Sequence, residues 1–190
     1  SDYLAGKAYS QLMLYRPTRF YEDQRVTLLL DREVSALDVV QRTVELDDGN
    51  RLVWDRLLLA TGASPIRPPI LGSDKRGVFC FTTLGDAQAV AEAINAGAQS
   101  ATVVGGGLIG VSVAEALVKR GLRVALVELR ERVLSLSLDI RGSEMVAEAM
   151  RRAGVEIVTG HSVAAITGKL GMPEAVGGVA LDDGHHLPSD

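Results

Sequence analysis

The sequence predicts an α/β fold in which a doubly wound parallel sheet is preceded by a β-meander. Two observations support this prediction. Residues 101–166 alternate apolar strand patterns with amphipathic helix patterns, which is typical of a parallel sheet with helical crossovers. Residues 24–55 instead contain short strand patterns separated by turn residues, which is typical of antiparallel hairpins.

The first third of the chain predicts the meander and then a buried strand. Strand patterns occupy residues 24–30, 33–38 and 42–55, and the dipeptide Asp48-Gly49 predicts a hairpin turn in the last of them. The continuous apolar run at residues 57–60 is followed by a glycine and a proline. We therefore expect a strand that leads into an exposed loop.

The middle of the chain changes from loop to helix. Residues 66–77 contain prolines and glycines without periodicity, which predicts a crossover or linker. Thr83 and Asp86 have the spacing of a capping box, and apolar residues follow at helical spacing as far as Asn95. A helix is therefore predicted to begin directly after Thr83.

The parallel sheet is predicted from the order strand, helix, strand, helix, strand. Each predicted helix ends at a glycine. We expect Ile109 in the first helix and Ala149 in the second to face the core. The predicted strands are residues 101–104, 123–127, 155–158 and 162–166, and the helices follow the glycines at 105–110 and cover roughly 140–153.

Two segments of the chain echo each other. Residues 44–55 read VELDDGNRLVWD, and residues 179–190 read VALDDGHHLPSD. Both predict the same hairpin, and the first copy leads directly into a further apolar strand. The echo indicates two related segments of one fold, while chance recurrence of a DDG turn remains the alternative.

Composition limits the classes of function. The formal net charge is −4 and the basic residues are scattered, so we expect no nucleic-acid binding. The apolar runs are far shorter than the roughly 20 residues of a membrane helix, and the first residues lack a signal-peptide pattern. A cytoplasmic protein is the resulting expectation.

The cysteine and histidines predict no metal site. Cys80 is the only cysteine and sits in the apolar run VFCF, so we expect a core thiol. The histidines lack a ligand spacing with carboxylates on one helix face, and we expect them at the surface. They are His161, His185 and His186.

A glycine-rich turn separates the first predicted strand of the parallel sheet from the helix after it. Gly105, Gly107 and Gly110 follow the pattern GxGxxG, and the acidic residue Glu128 ends the next strand about 20 residues later. The first glycine allows the tight turn, the second allows backbone to approach a pyrophosphate, and the third allows close packing of helix and strand. A dinucleotide-binding, Rossmann-like domain is predicted.

The same turn predicts which dinucleotide binds. The N–H groups of Leu108 and Ile109 lie at the positive end of the helix and would face the phosphates. Glu128 would accept hydrogen bonds from a ribose 2′-hydroxyl and repel a 2′-phosphate, which favours NAD over NADP. Arg130 and Arg132 leave NADP open, because an arginine in this loop can bind a 2′-phosphate.

Four segments together resemble the pyridine nucleotide-disulfide oxidoreductase superfamily. They are ATGASPIRPP at residues 60–69, GVFCFTTLGDAQAV at 77–90, VVGGGLIG at 103–110 and RAGVEIVTG at 152–160. The resemblance is greatest to NADH-dependent ferredoxin and rubredoxin reductases and to the flavoprotein part of nitrite reductase large subunits. It spans nearly the whole chain.

The resemblance implies an NAD domain inserted into an FAD domain. Residues 1–74 would belong to a partial FAD-binding domain, and residues 75–190 to an NAD-binding domain that lacks its last strand. The implied NAD contacts are Gly105, Gly107, Leu108, Ile109, Gly110, Ser112 and Glu128, and the implied FAD contacts are Val34, Ala60, Thr61 and Gly62. Ser112 stands where the family usually has Glu and would carry no charge to the nicotinamide region.

The resemblance also implies the chemistry. Hydride would pass from NADH to a flavin, and electrons would pass on to an acceptor such as nitrite, ferredoxin, rubredoxin or oxygen, without a catalytic acid–base pair. The family's own FAD glycine motif is absent from these residues, so we expect an internal segment that is inactive by itself. Oligomerisation is possible. The alternative is a non-catalytic module that binds or senses NAD(H).

Overall fold

The computed structural model describes residues 2–7 and 15–190, which fall into two compact units. The first unit comprises the described residues 15–63. The second comprises residues 2–7 together with Ser64–Asp190. The expected boundary between functional domains at residues 74 and 75 stays a prediction.

The first unit is built around a small antiparallel meander. Its strands are adjacent in chain order, and alternate residues of the middle strand, Val44 and Leu46, are buried. Asp48 shapes the turn of the second hairpin, because its carboxylate accepts the Asn50 N–H at 3.0 Å. The elements are α1 (Thr18–Asp23), β1 (Val34–Asp38), β2 (Thr43–Leu46) and β3 (Arg51–Val53). The meander and its Asp-Gly turn are confirmed.

Two strands predicted for this unit do not form. Residues 26–30 and 57–60 have no regular secondary structure, and their apolar side chains are largely exposed: Leu30 is 68% and Leu58 85% exposed. A strand requires a neighbouring strand to pair its N–H and C=O groups. The described residues offer these segments no such neighbour, so the predictions were wrong for this chain.

The second unit contains the predicted parallel sheet. Its strands lie in chain order, and all neighbouring pairs are parallel. The elements are α2 (Leu84–Asn95), β4 (Ser100–Val104), α3 (Leu108–Lys119), β5 (Arg123–Glu128), α4 (Ile140–Arg152) and β6 (Val155–Thr159). The α/β class, with a parallel sheet after an antiparallel meander, is confirmed.

An antiparallel meander completes this unit. It consists of β7 (Val163–Lys169), β8 (Met172–Leu181) and β9 (His186–Pro188), paired in that order. The second DDG sequence forms the turn between β8 and β9, as its echo in the first unit predicts.

The central strand β5 shows how the layers pack. Val124 and Leu126 belong to a core shared with α3 and α4. The alternating residues Ala125 and Val127 belong to a second core, shared with β8 and β9. Because successive side chains point to opposite faces of a strand, helices cover one face of the parallel sheet and the meander covers the other. Among the described residues the sheet is therefore wound with helices on one face, and not on both faces as the predicted double winding requires.

Local sequence signals explain where the helices begin. Thr83 accepts the Asp86 N–H at 3.1 Å, and the Asp86 carboxylate accepts the Thr83 N–H at 2.7 Å, which confirms the capping box. Asp139 caps α4 in the same way by accepting the Gly142 N–H. Both caps satisfy N–H groups that a helix terminus leaves unpaired.

Three side chains differ from their expected burial. Ile109 is 59% exposed and lies in the first turn of α3, whose buried residues begin only at Val113. In α4 the buried positions are Ser143, Ala147 and Met150, so the exposed Ala149 lies outside the core face. Cys80 is only half-buried, in a segment without regular structure.

Candidate functional site

The turn between β4 and α3 is shaped by backbone contacts. Gly105 has a φ of +106°, which is strained for residues with a side chain, and its N–H donates to the Val127 carbonyl at 2.8 Å. The bond ties the turn to the central strand β5. Gly107 then takes an extended conformation and starts α3 without any side-chain cap.

The uncapped start of α3 leaves N–H groups available. In the described part of the chain, the N–H groups of Leu108 and Ile109 have no acceptor. Both residues are more than half exposed. Free N–H groups at the positive end of a helix dipole attract anions such as phosphate. This is the arrangement that the sequence predicts for a pyrophosphate.

Gly110 is required by close packing against backbone, and Gly106 packs tightly against the Glu128 side chain. A Cβ at position 110 would lie 3.0 Å from the Gly105 carbonyl carbon and nearer still to its oxygen. A Cβ at position 106 would lie 3.1 Å from both Cβ and Oε2 of Glu128. The turn therefore has no room for a side chain at position 110, and at position 106 the Glu128 side chain would have to shift by a few tenths of an ångström. The predicted packing role of Gly110 agrees with this geometry, whereas sequence reasoning gave Gly106 no role.

Glu128 is held in place at the end of β5. Its Oε2 accepts the Gly106 N–H at 2.6 Å, and its Oε1 accepts the Arg130 N–H at 2.8 Å. The Gly106 carbonyl in turn accepts the Leu134 N–H at 2.8 Å. A carboxylate has about four acceptor positions, so Glu128 keeps acceptors free for a ribose. The triple-glycine sequence was the signal that could have identified Gly106.

Arg130 and Arg132 differ in whether their guanidinium groups are already hydrogen-bonded. The Arg132 guanidinium donates to the Leu138 carbonyl at 2.7 Å and to Ser143 Oγ at 3.0 Å. It therefore holds together the loop before α4. The Arg130 side chain is exposed and has no hydrogen-bond partner among the described residues. Of the two arginines considered for a 2′-phosphate, Arg130 alone is free to move.

Ser112 lies in α3, two residues after Gly110, and is half-buried. Its hydroxyl makes no hydrogen bond within the described residues. The role expected of Ser112 near the nicotinamide stays a prediction.

The residues expected to contact FAD lie in the first unit. Val34 opens β1, pairs with Leu46 and is 52% exposed. Ala60 ends the unpaired apolar run, Thr61 and Gly62 follow it, and Gly62 has a φ of +75°. Among the described residues no backbone hydrogen bond joins these two segments. Their role toward FAD stays a prediction.

Comparison with known proteins gives consistent matches. A family model described as pyridine nucleotide-disulphide oxidoreductase matches residues 6–190. The epsilon subunit of NADH-dependent phenylglyoxylate dehydrogenase from Aromatoleum evansii is 36% identical over 188 residues, which are 98% of this chain and 43% of that protein. The NAD(P)H nitrite reductase large subunit from Klebsiella oxytoca is 33% identical over 166 residues, which are 87% of this chain and 17% of that protein.

A solved structure extends the likeness to the fold. The crystal structure of a ferredoxin reductase from Rhodopseudomonas palustris superposes with a TM-score of 0.91 at 26% identity, covering 100% of this chain and 46% of that one. The chain thus spans less than half the length of each of these three proteins. None of the described helices has the length and apolar character needed to cross a bilayer.

Proposed function

The chain belongs to the pyridine nucleotide-disulphide oxidoreductase family, and from this premise we propose that its second unit binds NAD(H) at the turn between β4 and α3. The observation that carries the proposal is the uncapped start of α3 beside a fixed carboxylate. The free N–H groups of Leu108 and Ile109 receive the pyrophosphate, and Gly107 lets it approach the backbone. Glu128 accepts the ribose hydroxyls.

Glu128 supports a preference for NADH over NADPH. Its carboxylate is immobilised by the Gly106 and Arg130 N–H groups before any nucleotide arrives. A 2′-phosphate placed there would meet a negative charge that cannot turn away without breaking two hydrogen bonds. Arg132 is already engaged by its own loop, so Arg130 is the remaining cation that could offset this repulsion.

We further propose that the whole protein is an NADH-dependent flavoprotein oxidoreductase. Hydride transfer is chemistry that the nicotinamide and flavin supply when bound. The residues of this chain bind and orient the nucleotide at its phosphate and adenosine end. Ser112 would sit further along α3, toward the nicotinamide. The acceptor proposed is an electron carrier or a small oxidised molecule, as the names of the ferredoxin and nitrite reductases suggest for those relatives.

The first unit supports an FAD-binding role within a longer polypeptide. Residues 26–30 and 57–60 are strongly apolar and unpaired in the described structure. Such segments become stable strands only when further chain supplies neighbours and covers their side chains. We propose that Val34 and residues 60–62 contact FAD in that setting, with the functional boundary near residues 74 and 75.

The nucleotide preference can be tested with a charge-neutralising variant. Isothermal titration of the chain with NADH and with NADPH should give a lower Kd for NADH. In Glu128→Gln the ratio of the Kd for NADPH to the Kd for NADH should fall by at least about tenfold, because the carboxylate that repels the 2′-phosphate is removed. The matched control is Glu131→Gln, an exposed carboxylate three residues away. An unchanged ratio in Glu128→Gln would contradict the assignment.

A separate measurement distinguishes the enzyme from a non-catalytic NAD(H)-binding module. The full-length protein should bind flavin, and anaerobic NADH should bleach its visible absorption. Binding of NADH without bleaching would favour the non-catalytic module. That result would leave the assignment of the nucleotide-binding turn intact.

A further inference from the structure

Two turns of the second unit meet at a cluster of one histidine and two aspartates. His161 follows β6, and Asp182 and Asp183 lie in the turn between β8 and β9. The Nδ1 atom of His161 lies 2.9 Å from Oδ1 of Asp182 and 3.4 Å from Oδ2 of Asp183. One ligand atom from each of the three side chains thus lies within 4.8 Å of the others.

Neighbouring groups hold both carboxylates in these orientations. The N–H and Oγ of Ser162 donate to Oδ2 of Asp182 at 3.0 and 2.8 Å, which leaves its Oδ1 turned to His161. The His185 N–H donates to Oδ1 of Asp183 at 3.0 Å, and the His185 Nδ1 lies 2.9 Å from its Oδ2. The two carboxylates are therefore oriented by Ser162 and His185, which are not among the three proposed ligands.

We propose that this cluster binds a divalent transition-metal ion of the zinc type through His161 Nδ1, Asp182 Oδ1 and Asp183 Oδ2, with water completing the coordination. One imidazole nitrogen and two carboxylate oxygens are ligands that such an ion accepts. With metal–ligand bonds of about 2.1 Å, adjacent ligands lie about 3.0 Å apart in an octahedron and about 3.4 Å apart in a tetrahedron. The two separations from His161 Nδ1, 2.9 and 3.4 Å, are close to such edges, and the ligand oxygens of Asp182 and Asp183 lie within 4.8 Å of each other.

The negative charge of the cluster and its exposure to solvent also favour binding of a divalent cation. Two carboxylates around one neutral imidazole carry two negative charges, which a divalent cation neutralises. The side chains of His161, Asp182 and Asp183 are 35%, 44% and 27% exposed, so an ion can enter from solvent. On binding at Nδ1, the ion replaces the proton there, and the imidazole takes up a proton at Nε2 from solvent, so that it binds as a neutral ligand.

The first DDG turn provides an internal contrast. Asp47 and Asp48 occupy the equivalent positions, but Asn50 stands where the second turn has His185. Among the described residues, Asp47 and Asp48 belong to no group of three His, Cys, Asp or Glu side chains that could hold a metal ion. In the second turn, a metal would join two turns that are 21 residues apart in sequence, and would thereby stabilise the meander against β6.

Titration with zinc chloride alone tests this inference. An untagged chain, freed of metal with EDTA, should bind one Zn²⁺ per molecule and melt at a higher temperature in its presence. His161→Ala should lose both effects. The matched control is His186→Ala: this histidine lies in the same hairpin but contacts Thr167, at 2.8 Å, rather than the cluster. It should bind Zn²⁺ like the unaltered chain.

Circular dichroism shows whether His161→Ala folds, and a second variant tests the proposal if it does not. Asp183→Asn keeps the shape of the side chain, removes one charge and should weaken Zn²⁺ binding at least about tenfold. Co²⁺ should give visible absorption bands with the unaltered chain and with His186→Ala only. Equal Zn²⁺ affinity in His161→Ala and His186→Ala would overturn the proposal. So would the absence of saturable binding up to about 1 mM.

Discussion

Replacement of Gly110 by alanine tests the contact between α3 and the turn before it. The added Cβ would lie 3.0 Å from the Gly105 carbonyl carbon and closer to the oxygen. Nonbonded carbon atoms normally approach to about 3.5–4.0 Å. The helix or the turn must therefore move by at least roughly 0.5 Å, and further to clear the oxygen.

Two opposing effects determine the magnitude. Alanine in a helix is favoured over glycine by about 1 kcal/mol, whereas overpacking typically costs about 1–3 kcal/mol. Since the obstruction here is backbone that cannot rotate away, we expect the higher end and a net loss of roughly 1–2 kcal/mol. The displaced N–H groups of Leu108 and Ile109 should also raise the Kd for NADH by at least about tenfold.

Gly85→Ala is the matched control. Gly85 also lies in the first turn of a helix, and a Cβ there would meet only Thr83 Oγ1, at an ordinary 3.6 Å. Urea unfolding and calorimetric titration with NADH should show Gly85→Ala as neutral or stabilising with unchanged affinity. Equal stability and equal NADH affinity in Gly110→Ala and Gly85→Ala would contradict the proposed contact between α3 and the turn.

Three further predictions concern stability. Thr83→Ala should cost about 1 kcal/mol in urea unfolding because it removes the helix cap, while Thr82→Ala, which lacks that side-chain bond, should cost less. The pKa of Asp86 lies below its ordinary value of 3.8 because the N–H groups of Thr83 and Thr82 donate to its carboxylate. The ionised carboxylate therefore stabilises the folded state at pH values above about 3.8, and this stabilisation is lost as the pH falls through the lower pKa of the folded state. The gap in unfolding midpoint between the unaltered chain and Asp86→Asn should therefore shrink in acid, and a constant gap would contradict this. Leu126→Ala, in the core, should cost about 2–5 kcal/mol, whereas Leu58→Ser, at an exposed site, should change stability by less than about 0.5 kcal/mol.

Features that depend on nearby residues could be predicted from the sequence. The capping box at Thr83 and Asp86 and the order of strands and helices after residue 100 rest on contacts within a few positions. The glycine turn and Glu128 could be placed together because parallel strands end at the same edge of a sheet.

Features that depend on distant partners could not be predicted. Residues 26–30 and 57–60 have the composition of strands, but strand formation needs neighbours that the described residues do not provide. His161 shares no helix spacing with a carboxylate, and only the pairing of β7 with β8 brings Asp182 beside it. The engagement of Arg132 with Leu138 and Ser143 likewise follows from how the loop folds back on itself.

The backbone contact between Gly105 and Gly110 also bears on how this protein can diverge. Because main-chain atoms form the contact, substitutions of neighbouring side chains change the shape of the turn little. With NAD(H) bound as we propose, substitutions that alter the nucleotide preference are expected at the side chains beside the turn, Glu128 and Arg130. The nucleotide preference could therefore change in few substitutions, while the backbone that we propose to bind the phosphates stays the same.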